Sequence, residues 1–217
     1  EWAREFFTRT DFTARTRGST LVIRTEEARV SNSEYRSNGH VWMQVRILHP
    51  TSADCTVSTG DGDVYVERID GEVEVHTGDG DIRVRSANGP SLGAHTGDGD
   101  ISIETLNSST ASLHTGDGDV SIDRLNGALV VRTGDGDIEV SLGHPGDVKL
   151  NTGDGDVLLR AKSDLRADVE FNGEDVIVDG FVLKGRLNSH RVEGQLNGGG
   201  TLLKVTTGDG SIVLRGM

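Results

Sequence analysis

Twelve aspartates recur at fixed places in a repeated pentapeptide, and carboxylates arranged in this way could bind hard cations. The pentapeptide Thr-Gly-Asp-Gly-Asp occurs six times, 18 or 19 residues apart, and a seventh copy ends in serine. Because Ca²⁺ takes carboxylate and carbonyl oxygens as ligands, stacked repeats could form a calcium ladder. The first aspartate column would be Asp61, Asp79, Asp98, Asp117, Asp135 and Asp154, and the second Asp63, Asp81, Asp100, Asp119, Asp137 and Asp156.

The same aspartates have a second interpretation that needs no metal. Stacked carboxylates about 5 Å apart repel each other by ~1 kcal/mol in water, so something must offset the repulsion. Backbone N–H groups of the turns, from the same or the adjacent coil, could do so by donating hydrogen bonds. Calcium-binding β-rolls repeat about every nine residues, whereas one turn occurs here in 18 or 19. We therefore expect no cofactor, with calcium as the open alternative.

The elements that position these aspartates are short strands. Val73, Val75 and Thr77 alternate with polar residues, which is the pattern of a half-buried strand. Residues 78–81 must then turn the chain, because glycine accepts positive φ and aspartate favours turns. A second corner is expected at residues 69–71 and their equivalents. A repeat of this length predicts one coil of an all-β, single-stranded β-solenoid.

Stacked in this register, the repeats form coherent inward rows. The motif threonines are also inward, and their hydroxyls are expected to satisfy backbone groups at the corner. The three apolar rows are Val57, Val75, Ala94, Leu113, Val131 and Leu150; Val64, Ile82, Ile101, Val120, Ile138 and Val157; and Val66, Val84, Ile103, Ile122, Val140 and Leu159.

The segment between the sixth and seventh motifs has room for two degenerate coils. Their pattern predicts that Phe171 and Leu187 replace the motif threonine, and that the aspartate columns are lost at Gly173 and Arg191. This gives about nine coils from residue 55 onward, which would make a stack roughly 40 Å long at the usual strand spacing. The last coil ends at Met217 without a cap, which predicts an open edge.

The chain is expected to form one continuous domain with two parts, residues 1–54 and residues 55–217. The first part does not keep the repeat, and it is expected to supply irregular first coils. Alternation at residues 21–23 and 41–47 predicts strands there. An aromatic cap over the end of the stack is expected from Trp2, Phe6 and Phe7.

Other reactive side chains do not assemble into a catalytic pattern. His76, His95 and His114 each precede a motif threonine and should form an outward column, which is interpreted as solvated surface rather than a metal site. Cys55 fits a buried, small apolar position. Carboxylates are spread evenly by the repeat, and no nucleophile–base arrangement can be placed. We therefore expect no enzyme activity.

The charge of the chain disfavours nucleic acid as a partner, and its hydropathy shows no membrane span. The net charge of −13 disfavours binding to nucleic acid, which needs clustered lysine and arginine. No apolar run approaches the ~20 residues of a membrane span. The opening Glu1-Trp2-Ala3-Arg4 is interpreted as a processed or trimmed end, with a signal peptide or anchor removed upstream.

The repeated motif and the closing segment 188–200, Asn-Ser-His-Arg-Val-Glu-Gly-Gln-Leu-Asn-Gly-Gly-Gly, resemble a bacterial, adhesin-like family of domains of unknown function, of the DUF4097 type. The resemblance covers roughly residues 55–217. It implies a right-handed β-helix on exported or membrane-anchored bacterial proteins, and no established reaction.

These observations together predict a non-enzymatic, extracytoplasmic β-solenoid (periplasmic, cell-surface or secreted). It would act as an adhesin or as a rigid binding or structural module at the bacterial cell envelope. The expected partner is a protein or glycan at the cell surface. One alternative is a fibre subunit that self-associates through the solenoid ends, with Met217 at the open edge. A second alternative is a polysaccharide-processing enzyme, which would need clustered carboxylates in a groove.

Overall fold

The computed structural model describes residues 11–17, 20–26 and 45–217, with side chains described from residue 45 onward. The chain divides into two compact units, Glu1–Leu48 and His49–Met217. Each unit is described by itself.

In the first unit, β1 (Asp11–Arg17) and β2 (Thr20–Glu26) pair antiparallel in a two-stranded sheet. The strand predicted around residues 21–23 is confirmed. It belongs to an antiparallel hairpin, however, and not to an irregular coil as expected. Residues 45–47 are not in a strand. The predicted cap residues Trp2, Phe6 and Phe7, and residues 41–44, lie outside the described residues.

The second unit is built from strands separated by glycine-rich corners, and no α-helix occurs among its residues. Its strands are β3 (Cys55–Ser58), β4 (Val64–Val66), β5 (Val73–His76), β6 (Ile82–Ala87), β7 (Ser91–His95), β8 (Ile101–His114), β9 (Val120–Arg132), β10 (Ile138–Asn151), β11 (Val157–Ala161), β12 (Ala167–Asn172), β13 (Asp175–Asp179), β14 (Leu183–Leu187), β15 (Arg191–Leu196), β16 (Thr201–Thr206) and β17 (Ser211–Gly216).

Apart from β14 and β15, these strands stack in parallel, and the motif coils keep the repeat register that the sequence predicts. Val75 lies beside Val57 and Ala94, and Ile82 lies beside Val64 and Ile101. One column of strands precedes the motif corner and the other follows it. Strands β8, β9 and β10 run through the second corner, with shifts in the pairing of β8 with β9 and of β9 with β10. The fold is therefore an all-β solenoid, with all strands from β3 onward in one sheet.

The predicted inward rows form the core. Most members of the rows are buried, and four have side chains that are about 0% exposed: Ile82, Ile101, Val131 and Leu159. Val57, in the first coil, is only partly buried but packs against this core. Each coil contributes only a few inward side chains, which explains how a chain with 34% hydrophobic residues can build this core.

The order of the last coils in space differs from their order in the chain. Strand β16 pairs in parallel with β10 on one side and with β12 on the other. Strand β17 likewise lies between β11 and β13. The C-terminal coil is thus inserted between two coils that precede it in sequence. The predicted open edge at Met217 is wrong, because the last strand is paired on both sides.

Of the two predicted degenerate coils, one is a coil with a different alignment and the other is a hairpin. Phe171 lies beside Val205, in the row of Leu150, and not at the threonine position. Leu187 lies in β14, which forms an antiparallel hairpin with β15, and it is 64% exposed. Seven motif coils and the β12–β13 coil therefore make eight, and not about nine. The alternation of the hairpin strands resembles that of a coil, because the period is the same in both.

Candidate functional site

The motif threonine is the internal brace of each corner. Thr115 is buried, and its hydroxyl accepts a hydrogen bond from the Gly118 N–H at 3.2 Å. The same hydroxyl donates to the Gly99 carbonyl of the preceding coil at 2.8 Å. The other buried motif threonines make equivalent bonds, which confirms the predicted hydroxyl ladder: Thr77, Thr96, Thr133, Thr152 and Thr207.

The corner glycines permit close stacking of coils and do not serve as positive-φ residues. A Cβ placed on Gly118 would lie 2.1 Å from the Gly99 carbonyl oxygen. In the described backbone, positive φ is confined to residues outside the motif, such as Gly127 (119°) and Gly180 (84°). The expectation that motif glycines adopt positive φ is therefore wrong. Their small size lets the backbone of one corner rest on the next.

The second aspartate column is a ladder of hydrogen bonds between coils. Oδ1 of Asp100 accepts a bond of 2.9 Å from the backbone N–H of Asp119, and Oδ1 of Asp81 accepts one of 3.0 Å from Asp100. The same bond joins Asp63 to the next coil, and Asp119, Asp137 and Asp156 to theirs. Each carboxylate in this column thus satisfies an N–H group that the coil cannot pair by itself.

The first aspartate column is exposed and has a different environment. Its side chains lean toward the first motif glycine of the following coil, as Asp79 does toward Gly97. Among the side chains from residue 45 onward, no hydrogen bond involves a carboxylate of this column: Asp61, Asp79, Asp98, Asp117, Asp135 or Asp154. These six exposed carboxylates are therefore open to solvent cations.

The described residues contain no group of three or more histidine, cysteine, aspartate or glutamate side chains that could hold a metal ion. In each carboxylate of the second column, one oxygen already accepts a hydrogen bond from a backbone N–H. A calcium ladder would thus need the first column and solvent water as its main ligands. The calcium alternative remains a prediction.

The columns end differently from the prediction. Thr207 N–H donates to the Asn172 carbonyl, which places Gly173 beside the motif threonine and not at an aspartate position. Arg191 lies in the antiparallel strand β15, opposite Asn172. The second column instead continues from Asp156 through Ser211 to Asp175. Insertion of the C-terminal coil is the reason for the changed alignment.

The three predicted outward histidines do form a column. The rings of His95 and His114 stack with centroids 4.7 Å apart, and those of His76 and His95 are 5.8 Å apart. Glu74 lies 3.4 Å from Nε2 of His76. Loss of hydration and the two neighbouring imidazoles lower the pKa of His95 below its ordinary value. The arrangement favours the neutral form of His95.

The second corner carries a ladder of amide side chains, which the repeated pentapeptide does not predict. Asn126 donates to Asn107 at 2.5 Å, Asn107 to Asn88 at 2.7 Å, and Asn88 to Asp70 at 3.0 Å. The bond from Asn88 is the main cause that lowers the pKa of Asp70. The ladder ends where Asn126 accepts from the backbone of His144. A regular spacing of asparagines, 19 residues apart, was the available signal.

The outer face of the strands that follow the motif varies along the stack. One outward column begins with Tyr65 and Arg83, which are large, and continues with Ser102 and Ser121, which are small. A shallow depression lies here, between Tyr65 and Asp123. Ion pairs surround it: Arg83 with Asp81 at 2.7 Å, and Arg85 with Glu67 and, at 3.7 Å, Glu104.

The same outward column becomes apolar toward the other end of the stack. Leu158, Val213 and Ile177 are neighbours in register, and Ile177 is 54% exposed. A second depression crosses Leu158 and Val213, beside Asp156 and Arg215. This outer face therefore offers polar, charged and apolar surfaces on one support.

Parallel coils around a thin apolar core, with one glycine-rich corner braced by threonine and aspartate, define a single-stranded β-solenoid. The chain belongs to the Toastrack DUF4097 family, whose model matches residues 8–215. This family is a domain family of unknown function. No curated protein and no solved structure shows a significant match to the chain. Within the described residues, no helix is long and apolar enough to cross a membrane.

Proposed function

We propose that this solenoid is a non-enzymatic binding and spacing module at the bacterial cell envelope, in an extracytoplasmic location. The observation that carries the proposal is the contrast between corners and outer face. Corner residues are nearly identical from coil to coil and are bonded to one another, as Thr115 is to Gly99 and Asp119 to Asp100. The outward column from Tyr65 to Ile177 changes type repeatedly.

Such a division suits a rigid support with a variable contact surface, which is how solenoids commonly bind partners. The depression near Ser121 and the one near Val213 lie on the same outer face. Both are shallow, which suits weak, extended contacts with protein or glycan better than enclosure of a small substrate. The extracytoplasmic location rests on the resemblance to exported, adhesin-like proteins.

Envelope binding can be measured by sedimentation of the labelled full chain with isolated bacterial envelope fractions. We expect saturable binding that exceeds that of an unrelated acidic protein. Ser121→Trp fills the depression near Ser121 and should weaken binding at least tenfold. Ser112→Trp, on an exposed strand position of the other outer face, is the matched control and should bind as the natural chain does.

Absence of binding above the unrelated protein would overturn the envelope proposal. Equal binding by the Ser121 and Ser112 variants would overturn the choice of face. Turnover of any member of a polysaccharide panel by the purified chain would replace the binding proposal with the enzymatic alternative.

A further inference from the structure

The C-terminal coil is last in the chain but internal in the stack. Strands β16 and β17 lie between β10–β11 on one side and β12–β13 on the other. Their inward side chains Leu203, Val205, Ile212 and Leu214 are about 0% exposed. The coils that precede residue 201 must therefore leave a slot one coil wide, which residues 201–217 fill.

The slot recognises the repeat motif. Thr207 Oγ1 donates to the Gly155 carbonyl at 2.9 Å, and the Ser211 N–H donates to Asp156 Oδ1 at 2.7 Å. Equivalent bonds join other motif coils to the coil before them, as at Thr152 and Asp156. None of these contacts depends on the covalent connection between slot and coil. The same segment from a second copy of the chain would make identical contacts.

The connection to this coil is a short hook. Strands β15 and β16 lie on opposite sides of β12, so residues 197–200 must pass around the start of that strand. Asn197, Gly198 and Gly199 all have positive φ, at 49°, 95° and 82°. The Asn197 side chain fastens the hook by donating to the carbonyls of Ser163 and Leu165, at 2.9 and 2.8 Å. An extended hinge would relieve the left-handed conformation of Asn197.

We propose that residues 201–217 exchange between two copies of the chain, so that each copy fills the slot of the other. This is domain swapping, in which the closed and exchanged forms share their contacts and differ mainly in the hinge. Exchange of this kind uses the internal slot and leaves the ends of the stack uninvolved. It is independent of the envelope function proposed above.

The exchange can be trapped between Glu170 and Lys204, neighbours in register on β12 and β16, whose charged groups are 2.9 Å apart. In a Cys55→Ser background, one population carries Glu170→Cys and the other Lys204→Cys. The two are unfolded in urea, refolded together at high protein concentration, and oxidised. Each monomer has one cysteine, so a swapped dimer places the two cysteines side by side.

We expect a covalent heterodimer on a non-reducing gel, at several times the yield obtained after tenfold dilution. A single chain carrying both cysteines is the positive control, and it should form the disulfide within one molecule when dilute. If this control oxidises while the mixed populations give no heterodimer at high concentration, the proposal is overturned.

The hinge provides a second test. Deletion of Gly198 and Gly199 leaves only two residues between β15 and β16, which are too few to pass around β12 within one chain. The double-cysteine chain should then become predominantly a covalent dimer. Insertion of two glycines at the same place should keep it monomeric. A shortened chain that stays monomeric with an internal disulfide would contradict the proposal. If the shortened chain fails to fold, the mixed-population experiment still decides.

Discussion

The backbone N–H of Asp119 donates a 2.9 Å hydrogen bond to Oδ1 of Asp100, the residue at the same place in the preceding coil. Asp100 N–H donates in turn to Asp81 at 3.0 Å. Neighbouring carboxylates of the second column are thus separated by an N–H dipole. This bond offsets the repulsion that stacked aspartates would otherwise suffer.

Asp100→Ala removes the acceptor for the Asp119 N–H and should lower the free energy of unfolding by about 1 kcal/mol, since the site is exposed and water can replace part of the bond. Asp98→Ala, in the first column, is the matched control and should change it by less than about 0.5 kcal/mol. Urea denaturation measures both. Equal losses would contradict the structural distinction between the two columns.

Thr115→Val keeps the shape of the side chain but removes the hydroxyl that bonds Gly99 and Gly118. Because both backbone groups would be left unpaired in a buried corner, we expect a loss of about 2 kcal/mol. Thr115→Ser keeps the hydroxyl and loses one methyl group, at about 1 kcal/mol. Chemical denaturation should show a larger loss of unfolding free energy for Thr115→Val than for Thr115→Ser. The reverse order would contradict the bracing role of the hydroxyl.

Gly118→Ala should be strongly destabilising, because the added Cβ would lie 2.1 Å from the Gly99 carbonyl oxygen. Separation of the coils by even a fraction of an ångström weakens the corner bonds, and a cost of about 2 kcal/mol is expected. Gly60→Ala is the control: nothing lies within 4 Å of its Cβ. Its thermal midpoint should be unchanged or slightly higher. Similar midpoints for both variants would mean that coil spacing does not select glycine.

The histidine column should make stability depend on pH. The pKa of His95 is lower in the folded chain than the ordinary value of about 6.5, owing to lost hydration and to His114 and His76. The unfolded chain therefore binds a proton first, and stability falls as pH drops through 6.5 toward the folded value. His95→Asn should flatten this part of the stability profile, measured by urea denaturation between pH 5 and 8. An unchanged profile would contradict the assignment.

Much of the coil could be predicted from sequence because one period governs it. The alternation at Val73, Val75 and Thr77 shows which residues are inward, and repetition every 18 or 19 residues shows which residues stack. The threonine brace also follows, since an inward hydroxyl must bond to nearby backbone. These features depend on local pattern and on the neighbouring coil alone.

The order and direction of the last strands could not be predicted in this way. Any motif coil fits any motif slot, so the pattern of residues 201–217 does not show that they lie beside β10 and not beside β15. Antiparallel β14 and β15 have the same period as parallel strands. Turn propensity and close approach of coils both select glycine, so the motif alone predicts positive φ at its glycines, and only the backbone shows that close approach applies, as at Gly118.

The central claim is that the second aspartate column serves the fold through hydrogen bonds between coils, and that neither column needs a metal. Thermal unfolding of the chain with excess chelator, followed by a Ca²⁺ titration at fixed ionic strength, tests it most directly, because a ligand of the folded state raises its midpoint by mass action. We expect the same midpoint in chelator and at every calcium concentration. A saturable rise that Asp98→Ala and Asp117→Ala abolish would contradict the claim and assign the first column as a calcium ladder.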